Sequence, residues 1–210
     1  MSFELPKVYP LTDVGMTGLS HAEQTRRLAI GGASLVQVRE KALSVNEFYS
    51  EAELALETAR KLGVRLLIND RVDIALTLGA DGVHLGQDDL PPEQARKLLG
   101  DQAIIGYSTH NVAQALDARA LPLNYIAVGP IFATTTKTDT SPVLGLEGLR
   151  AIRDAVGDIP LVAIGGITGE NAASVLGAGA DSVAVIGGLL SKPDEISNRT
   201  ASLLKSLNPL

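Results

Sequence analysis

The 210-residue sequence contains no cysteine, which excludes disulfides and thiolate metal sites. That absence suits a reducing compartment. The first residues, Met1-Ser2-Phe3-Glu4-Leu5-Pro6, lack the basic start and apolar run of a secretory signal. No apolar stretch approaches the roughly 18 residues that cross a bilayer, so a cytoplasmic protein with no membrane partner is expected. Basic residues are outnumbered 18 to 24, for a net charge of −6, and no lysine or arginine block stands out. A nucleic-acid binder normally shows a basic stripe, so no nucleic-acid partner is expected. Small anions stay open as ligands, because remote surface acids are screened beyond about 8 Å at physiological salt. Aromatics are scarce at 3%, which points to an aliphatic core. With 45% hydrophobic and 20% charged residues, a disordered polymer is excluded.

Glycine is what the chain has in excess, 21 of 210 residues against an average near 7%. It shows no period of three, which rules out collagen. Short β-branched runs alternate with amphipathic helical segments. Strands are predicted at 7–11, 34–38, 65–69, 82–85, 103–106, 125–128, 161–164 and 182–186. Several are almost wholly apolar, as parallel strands covered on both faces are. A helix is predicted over 46–62, with Phe48, Ala52, Ala55, Ala59 and Leu62 in one stripe, Asn46 as N-cap and Gly63 just past the end. The junctions Gly32-Ala33-Ser34, Gly79-Ala80-Asp81 and Gly179-Ala180-Asp181 repeat one design, a helix-ending glycine and a small residue before a strand. Eight near-equal units of about 26 residues favour a closed (β/α)₈ TIM barrel over an open doubly wound sheet, with residues 1–210 as one domain.

In such barrels function collects at the C-terminal strand ends. Strand two is followed by Gln37-Val38-Arg39-Glu40-Lys41, where alternation sets Gln37, Arg39 and Lys41 on one side as donors suited to phosphate. Strands three and four end in Asn69-Asp70 and in Gly86-Gln87-Asp88-Asp89. Two carboxylates there can hold a hard cation such as Mg²⁺; equally, Asp70 can cap a helix and Asp88 or Asp89 can form a turn. Gly106-Tyr107-Ser108-Thr109-His110-Asn111 offers a hydroxyl and backbone N–H groups at a helix start, suited to an anion. His110 reads as a general base or as a first-turn helix residue, and no Ser-His-Asp arrangement supports the former. Thr134-Thr135-Thr136-Lys137 lies in a long loop over 132–144, the kind of segment that closes over a substrate. Gly165-Gly166 and Gly187-Gly188 follow the last two strands, the usual phosphate cradle of this fold.

Taken in order, these motifs resemble the thiamine-phosphate synthase family over residues 8–190. Gly82-Val83-His84-Leu85-Gly86-Gln87-Asp88-Asp89, Gly129-Pro130-Ile131-Phe132 and Ala163-Ile164-Gly165-Gly166-Ile167 complete the match. The resemblance implies two phosphorylated small-molecule substrates, a hydroxymethylpyrimidine diphosphate and a hydroxyethylthiazole phosphate. It assigns Gln37, Arg39, Lys41, Asn69, Ser108 and Lys137 to the pyrimidine diphosphate, with Arg39, Lys41, Ser108 and Lys137 acting in catalysis. It places Mg²⁺ on Asp70 and Asp89; Asp88, next in sequence, receives no assignment. It gives the thiazole phosphate to Thr134, Thr135, Thr136, Gly165, Gly166, Ile186 and Gly187. One departure is visible, since the family often has serine where Gly187 stands. Two rival readings use the same fold: a tautomerase-like or regulatory paralogue, and a non-catalytic binder of a phosphate ligand. The intact threonine–lysine segment and both acidic positions argue against the first, and a simple binder needs no metal or diphosphate residues. A homo-oligomer is compatible with the sequence.

Overall fold

The computed structural model describes residues 3–134 and 142–207. Eight parallel strands form one sheet: β1 (Val8–Pro10), β2 (Leu35–Val38), β3 (Arg65–Asn69), β4 (Gly82–Leu85), β5 (Ile104–Thr109), β6 (Tyr125–Val128), β7 (Leu161–Ile164) and β8 (Ser182–Val185). Their order is β1-β8-β7-β6-β5-β4-β3-β2, so each strand lies beside its sequence neighbour and β1 meets β8. The ring closes where Leu11 bridges Gln37 and the Thr12 N–H donates to the Gln37 carbonyl at 2.9 Å. This is the expected (β/α)₈ barrel, built because aliphatic strands need cover on both faces and the intervening helices supply it.

The expected strands are all present: β3, β4, β6 and β7 have the expected bounds, and β1, β2, β5 and β8 have shifted ends. β5 runs on to Thr109 instead of stopping at Gly106, because 106–109 continue the ladder against β6, from Gly106 opposite Tyr125 to Thr109 opposite Val128. The long helix is Val45–Lys61, capped by Ser44 and not by Asn46. Ser44 and Glu47 satisfy each other's backbone N–H groups in a capping box, which Asn46 cannot do from inside the first turn. Phe48, Ala52, Ala55 and Ala59 are buried as the stripe predicts, but Leu62 ends the helix and is exposed. The repeated junction glycines Gly32, Gly79 and Gly179 all have positive φ, the left-handed turn that a side chain resists.

The barrel interior is not purely aliphatic. Tyr9 and Tyr125 are among its largest fully buried side chains and pack edge-to-face. Gly106 makes room for them, since a Cβ there would sit 2.0 Å from Tyr125 Cζ. Its glycine therefore answers to packing, not to a turn.

Candidate functional site

Two connected hollows open among the C-terminal strand ends. The larger, about 440 Å³, lies among the ends of β5 to β8 and is lined by Ser108, His110, Thr134, Gly165, Gly166, Ile186 and Gly187. The smaller, about 20 Å³, is lined by Tyr9, Gln37, Arg39, Asn69 and His84. Ala127, Ile164 and Ala184 border both, so the hollows meet over these three side chains.

Around the smaller hollow the polar groups are partly unsatisfied. Gln37 Nε2 donates to the Tyr9 hydroxyl at 2.7 Å, while Gln37 Oε1 is buried without a partner among the described residues. Arg39 is held by Asp13 at 3.3 Å, yet its Nε is also buried and unpartnered. Such atoms cost free energy unless something binds them. The sequence reading missed Asp13, whose own Oδ1 caps helix Val14–Thr17 by accepting the Met16 N–H. It also missed Glu40, sandwiched between the two basic residues. Glu40 Oε1 accepts from the N–H groups of Lys41, Ala42 and Leu43, and Oε2 lies 3.3 Å from His21 Nε2. The carboxylate thus shapes the turn that presents Arg39 and Lys41. An acidic residue amid donors was its one sequence signal.

Lys41 pairs with Asp70 at the end of β3. Asp70 caps no helix: helix Val72–Leu78 has Arg71 at its N-cap position, with no side-chain cap bond. Asp70 is instead a non-glycine residue at φ 63°, a strained conformation held where its carboxylate faces Lys41 and Asp89. Asp89 closes the Gly86–Asp89 turn by accepting the Gly86 N–H at 2.7 Å, so the turn reading holds for one of its oxygens. Burial, and then the Asp70 charge, push the Asp89 pKa up, against the opposing Gly86 N–H and Lys41. Two facing carboxylates are a hard-oxygen donor set. They fit Mg²⁺, which commonly takes one or two carboxylates and fills its sphere with water and phosphate oxygens. Among the described residues no cluster of three or more acidic, histidine or cysteine groups offers a fuller cage.

Ser108 stands within β5, and the helix start that was expected to hold an anion is farther on. That helix, Val112–Ala118, is capped by Asn111, whose side chain accepts the Gln114 N–H. Ser108 Oγ is 2.8 Å from His84 Nε2, and its carbonyl accepts from Gln87 Nε2 at 2.6 Å. His110 lines the larger hollow and is no first-turn helix residue; its Nδ1 bonds the Gly129 carbonyl at 2.7 Å. A carbonyl only accepts, so Nδ1 carries a proton.

Gly165 and Gly166 of the larger hollow are sterically required. A Cβ at Gly165 would lie 2.6 Å from Pro130 Cα, and one at Gly166 2.6 Å from the Ala133 carbonyl. They let the 130–133 segment fold over the end of β7, where Ile131 and Phe132 donate to the carbonyls of Ile164 and Gly165. Gly187 opens the short helix Gly187–Leu190 directly after Ile186. The loop that carries Thr134 is pinned at its far end, where Leu144 and Gly145 donate to Pro130 and Ile131. Thr135, Thr136 and Lys137 lie outside the described residues. The structure thus brings Gln37, Arg39 and Asn69 around one hollow and Ser108, Thr134, Gly165, Gly166, Ile186 and Gly187 around the other, with Lys41, Asp70 and Asp89 together at the ends of β2 to β4.

Known proteins bear on this site. The thiamine-phosphate synthase of Clostridium novyi is 48% identical over 198 residues, covering 94% of this chain and 96% of its own. That of Chloroflexus aurantiacus is 48% identical over 189 residues, covering 90% and 87%. The solved structure of a thiamine phosphate pyrophosphorylase from Pyrococcus furiosus is 36% identical and superposes with a TM-score of 0.86 over 96% of this chain and 95% of that one. The model of the thiamine monophosphate synthase family matches residues 8–189, and the chain belongs to that family.

Proposed function

We propose that this protein is a thiamine-phosphate synthase that joins a hydroxymethylpyrimidine diphosphate to a hydroxyethylthiazole phosphate, releasing pyrophosphate. The observation that carries this reading is the pair of buried, unpartnered polar atoms, Gln37 Oε1 and Arg39 Nε, beside a glycine-rimmed cavity large enough for a second ligand. The smaller hollow marks the pyrimidine end and the larger one the thiazole phosphate. Their junction over Ala127 and Ala184 leaves space for the two rings to meet.

In the proposed reaction the bond between the pyrimidine methylene and the diphosphate oxygen breaks, and its electron pair leaves with the pyrophosphate. The cation left on the methylene is stabilised by the amino-substituted ring, and the thiazole nitrogen then donates its lone pair to that carbon. No protein nucleophile is required, in keeping with a chain that has no cysteine. The protein's task is electrostatic: Arg39 and Lys41 face the departing charge, and Lys137 joins them in the family pattern. Mg²⁺ held by Asp70 and Asp89 would supply further neutralisation of the diphosphate. Gly165, Gly166, Ile186 and Gly187 cradle the thiazole phosphate along the backbone, with Thr134, Thr135 and Thr136 adding hydroxyls. Gly187 offers no hydroxyl where the family often has serine, so the backbone carries that contact.

The purified protein is expected to form thiamine phosphate and pyrophosphate from the two substrates when Mg²⁺ is supplied, and to stop when the metal is chelated. Product detection by chromatography tests this. No product at saturating substrates and Mg²⁺ would refute the synthase reading, and turnover undiminished by chelation would remove the metal from it.

A further inference from the structure

Helix His21–Ile30 buries a face that is largely polar. His21, Gln24 and Thr25 are fully buried on it, together with Leu28. A helix that only covers strands buries an apolar stripe, since a buried polar group costs free energy unless it is bonded. His21 and Gln24, one turn apart, are both bonded, and neither is among the residues that line the hollows. Their bonds run to the two segments that flank Arg39.

His21 reaches the Arg39 backbone. Its Nδ1 lies 2.7 Å from Thr12 Oγ1, and that oxygen accepts the Arg39 N–H at 3.4 Å. Its Nε2 lies 3.3 Å from Glu40 Oε2, and a carboxylate only accepts, so the ring donates there. The other Glu40 oxygen holds the N–H groups of Lys41, Ala42 and Leu43. Gln24 reaches the Arg39 side chain. Its Oε1 accepts the Asp13 N–H at 2.8 Å, and its Nε2 donates to the Leu19 carbonyl at 2.8 Å, which ties down the loop between β1 and the helix. Asp13 Oδ2 in turn accepts from Arg39 Nη1 at 3.3 Å. A free arginine must freeze several rotatable bonds before its fork meets a phosphate, and one held at both ends has fewer left to freeze.

We propose that His21 and Gln24 are positioning residues that hold Arg39 at the wall of the smaller hollow, His21 from its backbone and Gln24 from its guanidinium. A bonded polar network in the interior rigidifies what it touches, and the two networks converge on this one arginine. Its buried Nε keeps no partner among the described residues, so the brace fixes the group without using up its donors. The consequence for the diphosphate rests on the synthase reading; the bracing of Arg39 does not.

Bracing is tested without substrate by ¹⁵N relaxation of the Arg39 Nε–H group. The group is expected to be as ordered as the backbone in the native protein, and to gain nanosecond motion in both His21→Leu and Gln24→Met. Mobility in the native protein, or native order in either folded variant, overturns the brace. Should one of them not fold, Thr12→Val, which cuts the His21 route, or Asp13→Ala, which cuts the Gln24 route, takes its place with the same outcomes. The ligand half is tested by steady-state kinetics. Both variants raise KM for the pyrimidine diphosphate about tenfold, the order of one lost hydrogen bond to a charged group. They leave KM for the thiazole phosphate, bound in the other hollow, within about twofold. Two KM values that rise together, or neither rising in folded variants, overturn the role in recognition. A native enzyme inactive on both substrates instead refutes the proposed function and leaves the relaxation result standing.

Discussion

At the scale of single residues, His21 is the buried group whose ionisation the fold resists. Thr12 Oγ1 is 2.7 Å from its Nδ1, Glu40 is 3.3 Å from its Nε2, and the residue is fully buried. Burial lowers its pKa below the ordinary 6.5, even though Glu40, Glu51 and Asp13 pull the other way. The unfolded chain therefore binds a proton that the folded one refuses, and stability falls as pH drops below about 6.5. Glu40 acts in a lower window. Burial alone would raise its pKa, but the Ala42 and Lys41 N–H groups and His21 outweigh it and hold the group below 4.5. Its contribution is present above pH 4.5 and is lost as pH falls through its folded value. Urea unfolding at a series of pH values should show the decline starting near pH 6.5. His21→Gln should remove the upper part and keep the part below 4.5. An unchanged slope between pH 6.5 and 5 in that variant would take His21 out of the account. None of this was legible in the sequence, because Thr12, His21 and Glu40 meet only when the barrel closes.

At the scale of elements, the repeated junctions gain a reason for their acid. Asp81 accepts the Leu66 N–H through Oδ2 at 2.8 Å and returns its own N–H to the Leu66 carbonyl at 3.1 Å. Asp181 does the same to Leu161, at 2.8 Å for both bonds, and Asn124 does it to Ile105, again at 2.8 Å for both. The residue ahead of β4, β6 and β8 thus clamps the start of the strand before it. Arg96 reinforces Asn124 at 2.9 Å, and Arg153 bonds Asp181 and the carbonyls of Gly157, Ile159 and Gly179. These clamps sit at the N-terminal strand ends, the face that serves stability in this fold. Asp181→Ala is expected to cost about 1–3 kcal/mol by leaving the buried Leu161 N–H without its acceptor. Asp181→Asn should cost much less, since Asn124 already performs that role, and neither variant should change substrate KM. Equal losses in thermal denaturation for the two substitutions would contradict the clamp. The sequence showed the repeat and explained its glycine, but gave the acid no role. Its partner lies on the preceding strand, at a separation that no local pattern exposes.

At the scale of the whole molecule, the ring has one thin joint. β1 pairs with β8 over three residues, whereas among the described residues the backbone hydrogen-bonds β1 to β2 only through the Leu11–Gln37 bridge and the Thr12 N–H. That joint touches the site, because Gln37 closes the ring with its backbone and lines a hollow with its side chain. Closure was legible from eight equal units, and so were the glycine, acidic and basic strand ends. The buried contacts of Tyr125 with Tyr9 and His84 were not, because alternation assigns these residues to the interior without saying which of them touch. Outside the joint, helices His21–Ile30 and Ile196–Leu207 are tied together: Ser197 Oγ donates to the Arg27 carbonyl at 2.9 Å, and Arg27 donates to the Pro193 carbonyl at 2.8 Å. Gly31 lets them approach, since a Cβ there would lie 2.6 Å from both the Ser197 carbonyl oxygen and Thr200 Cβ. Its φ is −72°, so space alone requires the glycine. Gly31→Val should force the helices apart and lower stability by about 1–3 kcal/mol, the usual cost of overpacking. Hydrogen exchange locates the damage: the amides of Val8, Tyr9 and Leu35–Val38 should exchange faster in the variant, while those of β4 to β6 stay near their native rates. Acceleration spread evenly over all eight strands would mean that the barrel opens as one unit and that the β1–β2 joint is no weaker than the rest.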